Sequence, residues 1–423
     1  MNRMDHNPRR HGERGQTIIL VALTVVTMLA MAALAIDVVT LYVARTEMQR
    51  AADGAALAAA KAFVDSGVTT DPTNSTRQTL ATDMATAMIN STIQQNKIGG
   101  VQPALVGTPT PDFTHDGNPQ ITVTLQRTDL PMFFARIWGN RAMTVTASAK
   151  AEAYNPSSSQ TSTGNYVPIQ PRCVKPLMIG NLDPRPSASG AIVDETTGAV
   201  VANLVGVRLV NLQDGCQGTN PPSQCISGAG SLGKGMLIPA SQGAVTQCPA
   251  CQGSSSLEQS IECCDTFSYQ CGGTVTHDVD NSGITVGQFG SQTRAGLHCM
   301  NNHPSEDSID PTDLLNGIGP ARITAQSGPN SGNFVTTSRS IAILPIVKTT
   351  YTSTATVVGF LQVFIEDVNS VGNLKITATV LNVIGCGNNP SGGAPILGGA
   401  APVNPPGGAL VTANSPIPVR LIH

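Results

Sequence analysis

The chain has 423 residues, a net charge of −3 and only 12% charged residues, a balance that excludes the basic face a nucleic-acid binder normally carries. Aromatic residues make up 4% with a single Trp, whereas Gly (42) and Pro (29) are frequent. That is a composition of short strands joined by many turns, not of a helical enzyme, and its length suits about two or three domains.

Residues 1–16 form a polar, basic flank in which Arg3, Arg9, Arg10 and Arg14 oppose only Asp5 and Glu13. Residues 18–36 are then almost wholly apolar, with Ile18, Leu20, Val21, Leu23, Val25, Val26, Leu29, Leu34 and Ile36 supplying the bulk. A helix needs roughly 17–25 apolar residues to cross a bilayer core, so this run predicts a single transmembrane span. Thr24 and Thr27 do not interrupt it, because a helical Thr bonds a preceding carbonyl. The nearest positive residues beyond the run are Arg45 and Arg50. The positive-inside rule therefore puts the N-terminus in the cytoplasm and the remainder outside. The rival reading is a signal peptide cut after Ala33-Leu34-Ala35, which would release a secreted or surface-exposed, disulfide-stabilised binding or adhesion protein. The run is longer than a typical signal core and no helix breaker precedes that site, which favours a retained anchor.

Beyond Ile36 the period changes rather than stops. Leu41, Ala44, Met48, Ala51, Ala55 and Ala58 recur at spacings of three and four, a seam of small residues. Such a seam lets another helix approach closely, and its partner is either this chain or a second protein. The helix is expected over residues 17–64. Asp37 stands at the outer boundary of the apolar run, either as an interfacial residue that ends the span or as a pairing group for a neighbouring subunit.

Arg14-Gly15-Gln16, the apolar run, Ala35-Ile36-Asp37, Leu41-Tyr42-Val43-Ala44-Arg45, Met48-Gln49-Arg50-Ala51-Ala52-Asp53 and Ala55-Ala56-Leu57-Ala58-Ala59-Ala60 follow one another in order. Over residues 12–64 this string resembles the N-terminus of TadE/TadG-like proteins of the Flp (tight adherence) type IV pilus assembly system. The resemblance implies an assembly component anchored in the bacterial inner membrane. Its implied partners are the membrane and other pilus assembly proteins or pilin-like helices, and a homo-oligomer is compatible with it. A type IV prepilin carries Glu at the fifth position after its cleaved Gly, where this chain has Leu20. The resemblance therefore does not extend to a polymerising subunit. Nor is there the Asp-x-Ser-x-Ser metal site that some TadG-like proteins carry.

Residues 76–97 show a helical face of Leu80, Met84, Ala87, Met88 and Ser91, stopped by Gly99-Gly100. Residues 121–125 and 143–153 alternate as strands, with an apolar, turn-bounded stretch at residues 131–139 between them. Residues 65–154 are thus expected to form a small pilin-like α/β head. A Ser/Thr/Gln-rich linker follows at residues 155–165. Strand candidates at residues 200–212, 340–349, 354–365 and 374–384, the last two paired as a hairpin, predict a disulfide-rich all-β outer domain over residues 166–386. A short helix is expected at 310–315. A Gly/Pro-rich tail over residues 387–423 ends in a strand candidate at 417–422. The fold class expected of the whole is α+β.

All ten cysteines lie between Cys173 and Cys386: Cys173, Cys216, Cys225, Cys248, Cys251, Cys263, Cys264, Cys271, Cys299 and Cys386. An even count beyond a membrane predicts disulfides, with pairing open. Zinc is the second reading, because Cys248 and Cys251 have metal-ligand spacing and His277, His298 and His303 lie near. Redox catalysis by the same pair is the third. Asp278, Asp280 and Ser282, followed by Gly283, look like the first half of a calcium loop. The twelfth position is Phe289 where a carboxylate is needed, so calcium is a candidate only and no other cofactor is expected. No nucleophile elbow, P-loop or zinc-binding His pair is present, and a non-catalytic protein is expected.

Overall fold

The computed structural model describes residues 13–114, 118–135, 139, 142–155, 169–216, 230–245, 255–264, 266–277, 286–301, 307–335, 338–386, 396–398 and 415–422. The chain opens with α1 (Glu13–Asp65), α2 (Ser75–Gln95), β1 (Ala104–Leu105), β2 (Gln120–Pro131) and β3 (Ala142–Ala153). Next come β4 (Ile169–Pro171), β5 (Leu177–Gly180), β6 (Arg208–Asp214), β7 (Gly230–Ser231) and β8 (Met236–Pro239). These lead into α3 (Ser256–Glu262), β9 (Thr274–Thr276), α4 (Val286–Asn301), β10 (Asp307–Asp310) and α5 (Thr312–Asn316). The remaining strands are β11 (Arg322–Ala325), β12 (Phe334–Val335), β13 (Ile341–Val347), β14 (Thr350–Tyr351), β15 (Thr354–Val368), β16 (Lys375–Gly385), β17 (Ile396–Gly398) and β18 (Val419–Ile422). The class is α+β.

α1 is continuous because no Gly or Pro interrupts residues 16–53 and Ala dominates its second half. Its Gly54 stands where a Cβ would lie 3.8 Å from Thr92 of α2. The side chain of Asn74 accepts the Arg77 N–H (3.1 Å) and caps α2 at its start. Beyond the other end, Gly99 and Gly100 take positive φ (53° and 89°) and turn the chain.

By contacts the chain divides into two units. One holds residues 1–55, 90–108 and 123–149, and the other holds residues 56–89, 109–122 and 150–423. The first sheet has the order β1-β2-β3-β18. Its alternation follows the sequence: Ile121, Val123, Leu125 and Leu130 of β2 are buried, as are Val145, Ala147, Ala149, Ala151 and Ala153 of β3. The strand expected near the C-terminus exists as β18. It pairs antiparallel with β3, from Val419 opposite Ala153 to Ile422 opposite Lys150.

Within the second unit the dominant sheet has the order β13-β5-β8-β6-β16-β15-β9, and β13 also pairs with β15. Six strands therefore close into a ring, with β9 added outside it on β15. Register shifts in β15, between Gln362 and Val363 and between Ile365 and Asp367, supply the bends such closure requires. The hairpin expected from residues 354–365 and 374–384 is β15 with β16. The expected strand at residues 200–212 is β6 alone, shortened to Arg208–Asp214.

One expectation needs correction. The cysteine-rich region is β-rich but not all-β, since α3, α4 and α5 lie inside it. α4 runs for 16 residues and buries Phe289, Leu297 and Met300. His298 of α4 bonds the Val368 carbonyl (3.0 Å) and Asn301 donates to the Ile365 carbonyl (3.3 Å). The helix thus covers one side of β15, which explains why Val357–Ile365 is buried without alternation.

Candidate functional site

α1 has one stretch long and apolar enough to cross a membrane. Ile18, Leu20, Val21, Leu23, Val25, Val26, Leu29, Leu34 and Ile36 are all exposed, from 49% at Val25 to 69% at Ile18. A soluble surface rarely presents so large an apolar patch. The hydroxyls within it are internally satisfied: Thr24 donates to the Val21 carbonyl and Thr27 to the Thr24 carbonyl, both at 2.9 Å. Apolar exposure continues past Ile36 through Val38, Val39, Tyr42 and Val43.

One face of the same helix is buried. Ala33, Asp37, Ala44, Met48, Ala51 and Ala55 fall on it at helical spacing. Of the predicted seam, Ala44, Met48, Ala51 and Ala55 are buried, and Leu41 and Ala58 are half-buried. The seam therefore packs within this chain, and of the two partners open to it the chain itself is the occupant. Two hydrogen bonds fix the register of the first unit: Glu47 accepts the Gly99 N–H (3.0 Å), and Gln49 donates to the Ser148 carbonyl (3.3 Å).

Asp37 belongs to this buried face. Its Oδ1 accepts the N–H groups of Phe133 (2.9 Å) and Phe134 (3.3 Å). Its Oδ2 accepts those of Phe134 (3.0 Å) and Ala135 (2.6 Å). Three successive backbone donors make a small anion-holding concavity at the tip between β2 and β3. Asp37 is 1% exposed, a burial that charge-assisted bonds to both oxygens offset. The carboxylate is thus neither a bare interfacial group nor presented to a neighbouring subunit; it clamps the chain's own hairpin tip to α1. Sequence reasoning placed both partners but did not join them. The usable signal was phase, since 37, 41, 44 and 48 continue one seam.

The described cysteines are disulfide-bonded. Cys173 is bonded to Cys264 and Cys271 to Cys386, while Cys216, Cys263 and Cys299 are also in disulfides. Cys225, Cys248 and Cys251 lie outside the described residues, as do His303 and the calcium-loop candidates Asp278, Asp280 and Ser282. Oxidised sulfur is no thiolate ligand, so Cys263, Cys264, Cys271 and Cys299 are not zinc ligands. His277 is buried against the Tyr351 ring (4.2 Å between centroids), with Nε2 at the Thr352 carbonyl. Among the described residues no cluster of His, Cys, Asp or Glu could hold a metal ion. Of the expected linker at residues 155–165, only Asn155 is described, buried and donating to the Thr69 carbonyl (2.8 Å); residues 156–165 and most of the tail at 387–423 fall outside the described residues.

A cavity of about 310 Å³ in the second unit is lined by Met84, Met88, Ile323, Phe334 and Leu381. Gln362 and Asn382 on its wall bond each other at 2.7 Å. The charged groups at its rim are engaged: Lys61 with Asp65, and Arg322 with Asp310 and Asp313. The arrangement is an apolar recess flanked by closed ion pairs.

A comparison with curated proteins finds no match to the chain, and neither does one with solved structures. Residues 15–62, which lie within α1 and include its exposed apolar run and much of its buried seam, match the family described as "Putative Flp pilus-assembly TadE/G-like".

Proposed function

We propose that this protein is a membrane-anchored structural component of a bacterial Flp-type pilus assembly apparatus. α1 is its single span, its N-terminus is cytoplasmic, and its disulfide-stabilised region lies outside the inner membrane. The observation that carries this reading is the run of exposed apolar side chains from Ile18 to Ile36 within the matched segment. The role is mechanical rather than catalytic. α1 holds the chain in the bilayer, and the stapled outer region presents surface to other pilus assembly proteins. Since the seam is filled by this chain, a partner helix would meet the lipid-facing side of α1. The excess of Arg before the span supports the orientation, and disulfides at Cys173–Cys264 and Cys271–Cys386 fit an oxidising compartment.

The test is alkaline carbonate extraction of native membranes, followed by N-terminal sequencing of the retained chain. Retention with the apolar run intact is expected. A chain released by carbonate, or one beginning at Ile36, would overturn the anchor and leave the secreted binding protein in its place.

A further inference from the structure

The apolar face of α1 is longer than a bilayer core. Exposed large apolar side chains run from Ile18 to Val43. At about 1.5 Å per residue that stretch covers about 39 Å, against a hydrocarbon core of roughly 30 Å. Asp37 lies about 29 Å from Ile18, near the outer edge of such a core and still within the apolar stretch, where an unpaired carboxylate would be excluded from lipid. The hairpin tip resolves the conflict. It covers Asp37, and its three N–H groups satisfy both oxygens. The converse holds as well, because irregular backbone tolerates lipid only where its polar groups have partners. The carboxylate and these three N–H groups thus satisfy each other without water. On the outside of the same tip, Phe133 is 63% exposed, while Leu130 and Met132 beside it are buried. Tyr42, 74% exposed and five residues beyond Asp37, is an aromatic suited to the membrane–water interface.

We propose that the tip at residues 132–135 is a second membrane contact, with Phe133 inserted among the acyl chains of the outer leaflet and Asp37 clamping the tip to the span. The proposal rests on α1 being a membrane span. Its occupant is lipid, because the Phe133 N–H bonds Asp37 (2.9 Å), which sits between the exposed Ile36 and Val38 of the apolar stretch of α1. The device sets the depth of the span and keeps the hairpin from lifting away from the bilayer.

The test uses the full-length, oxidised protein in phosphatidylcholine vesicles. The single tryptophan is removed by Trp138→Phe, and a reporter is placed by Phe133→Trp or, as a control, by Val25→Trp. Fluorescence is read with lipids brominated near the headgroup or near the chain ends. The Phe133→Trp emission is expected to shift to the blue and to be quenched most by the shallow bromines. The Val25→Trp emission is expected to be quenched most by the deep ones. Quenching of the Val25 reporter without quenching of the Phe133 reporter overturns the tip contact and leaves the anchor standing. Failure of both overturns the anchor and the tip contact with it. Adding Asp37→Asn should reduce quenching of the Phe133 reporter and spare that of the Val25 reporter. Unchanged quenching at Phe133 would remove Asp37 from the device.

Discussion

Asp37 and Asp183 are both buried carboxylates, and each is satisfied by different partners. Asp37 is held by backbone N–H groups about a hundred residues away in sequence, and backbone donors leave no signature in side-chain identity. That is why its phase on the seam was legible and its partner was not. Asp183 has a local partner. Burial raises its carboxyl, but hydrogen bonds from the Arg185 side chain and backbone outweigh that and hold it below the usual carboxylate range. A depressed folded value means stability that is present above the unfolded value of about 3.9 and is lost as pH falls through the folded one. Asp183→Asn should therefore cost stability at neutral pH, roughly 1.5 kcal/mol, the low end for a bond to a charged group, because Arg185 is partly exposed and screened. In urea unfolding, the gap between the two proteins should narrow as pH is lowered from 5 towards 3. A gap independent of pH would assign the cost to packing instead.

Helices α3 and α4 show what a strand-rich composition conceals. α3 has a start signal in Ser255 and Glu258, the first and fourth residues of a capping box, and the Ser255 side chain does accept the Glu258 N–H at 3.2 Å. Phe289, Thr293, Leu297 and Met300 of α4 form a buried face at helical spacing. Glycines at 287, 290 and 296 dilute that pattern and lower intrinsic propensity by about 1 kcal/mol each. Packing overrides propensity here, and Gly296 shows how. A Cβ on it would lie 2.9 Å from the Ile261 Cβ and 3.0 Å from the Glu258 carbonyl oxygen of α3. Both are rigidly tied to backbone, so the helices could not keep their separation. Gly287 faces open space. Gly296→Ala should thus destabilise by about 1 kcal/mol net, since overpacking of roughly 2 kcal/mol exceeds the propensity gain. Gly287→Ala should be neutral or stabilising. Urea midpoints of the two variants against wild type decide it, and equal gains in both would mean that α3 and α4 are not packed as closely as Gly296 implies.

Across the whole molecule, what was legible is what depends on neighbours in sequence: the long apolar helix, the seam, α2, the β15–β16 hairpin and the concentration of disulfides. What was not legible depends on chain closure. β18 adds to the first sheet from the far end of the sequence, and the ring is closed by β13 meeting both β5 and β15. No local pattern encodes either pairing, nor which cysteines join. The Cys271–Cys386 bond lies beside β15, next to the Val357 position at which β13 pairs with it. Gly272 donates to the Val357 carbonyl (3.0 Å) and Cys386 to the Val358 carbonyl (2.7 Å), so the bond staples together two segments that already grip β15 at adjacent residues. It spans 115 positions in sequence, and chain-entropy reasoning gives such a loop about 4–5 kcal/mol of stabilisation, against roughly 1 kcal/mol for either hydrogen bond alone. Replacing both cysteines by serine, so that no odd thiol remains to reshuffle the others, should lower the unfolding free energy by several kcal/mol. The carbonate-resistant anchoring proposed for α1 should be unaffected, because no cysteine lies within α1. Urea unfolding followed by Tyr and Trp fluorescence measures the first quantity, and extraction measures the second. A loss below about 1 kcal/mol would mean that the hydrogen bonds to β15 alone hold these ends in place.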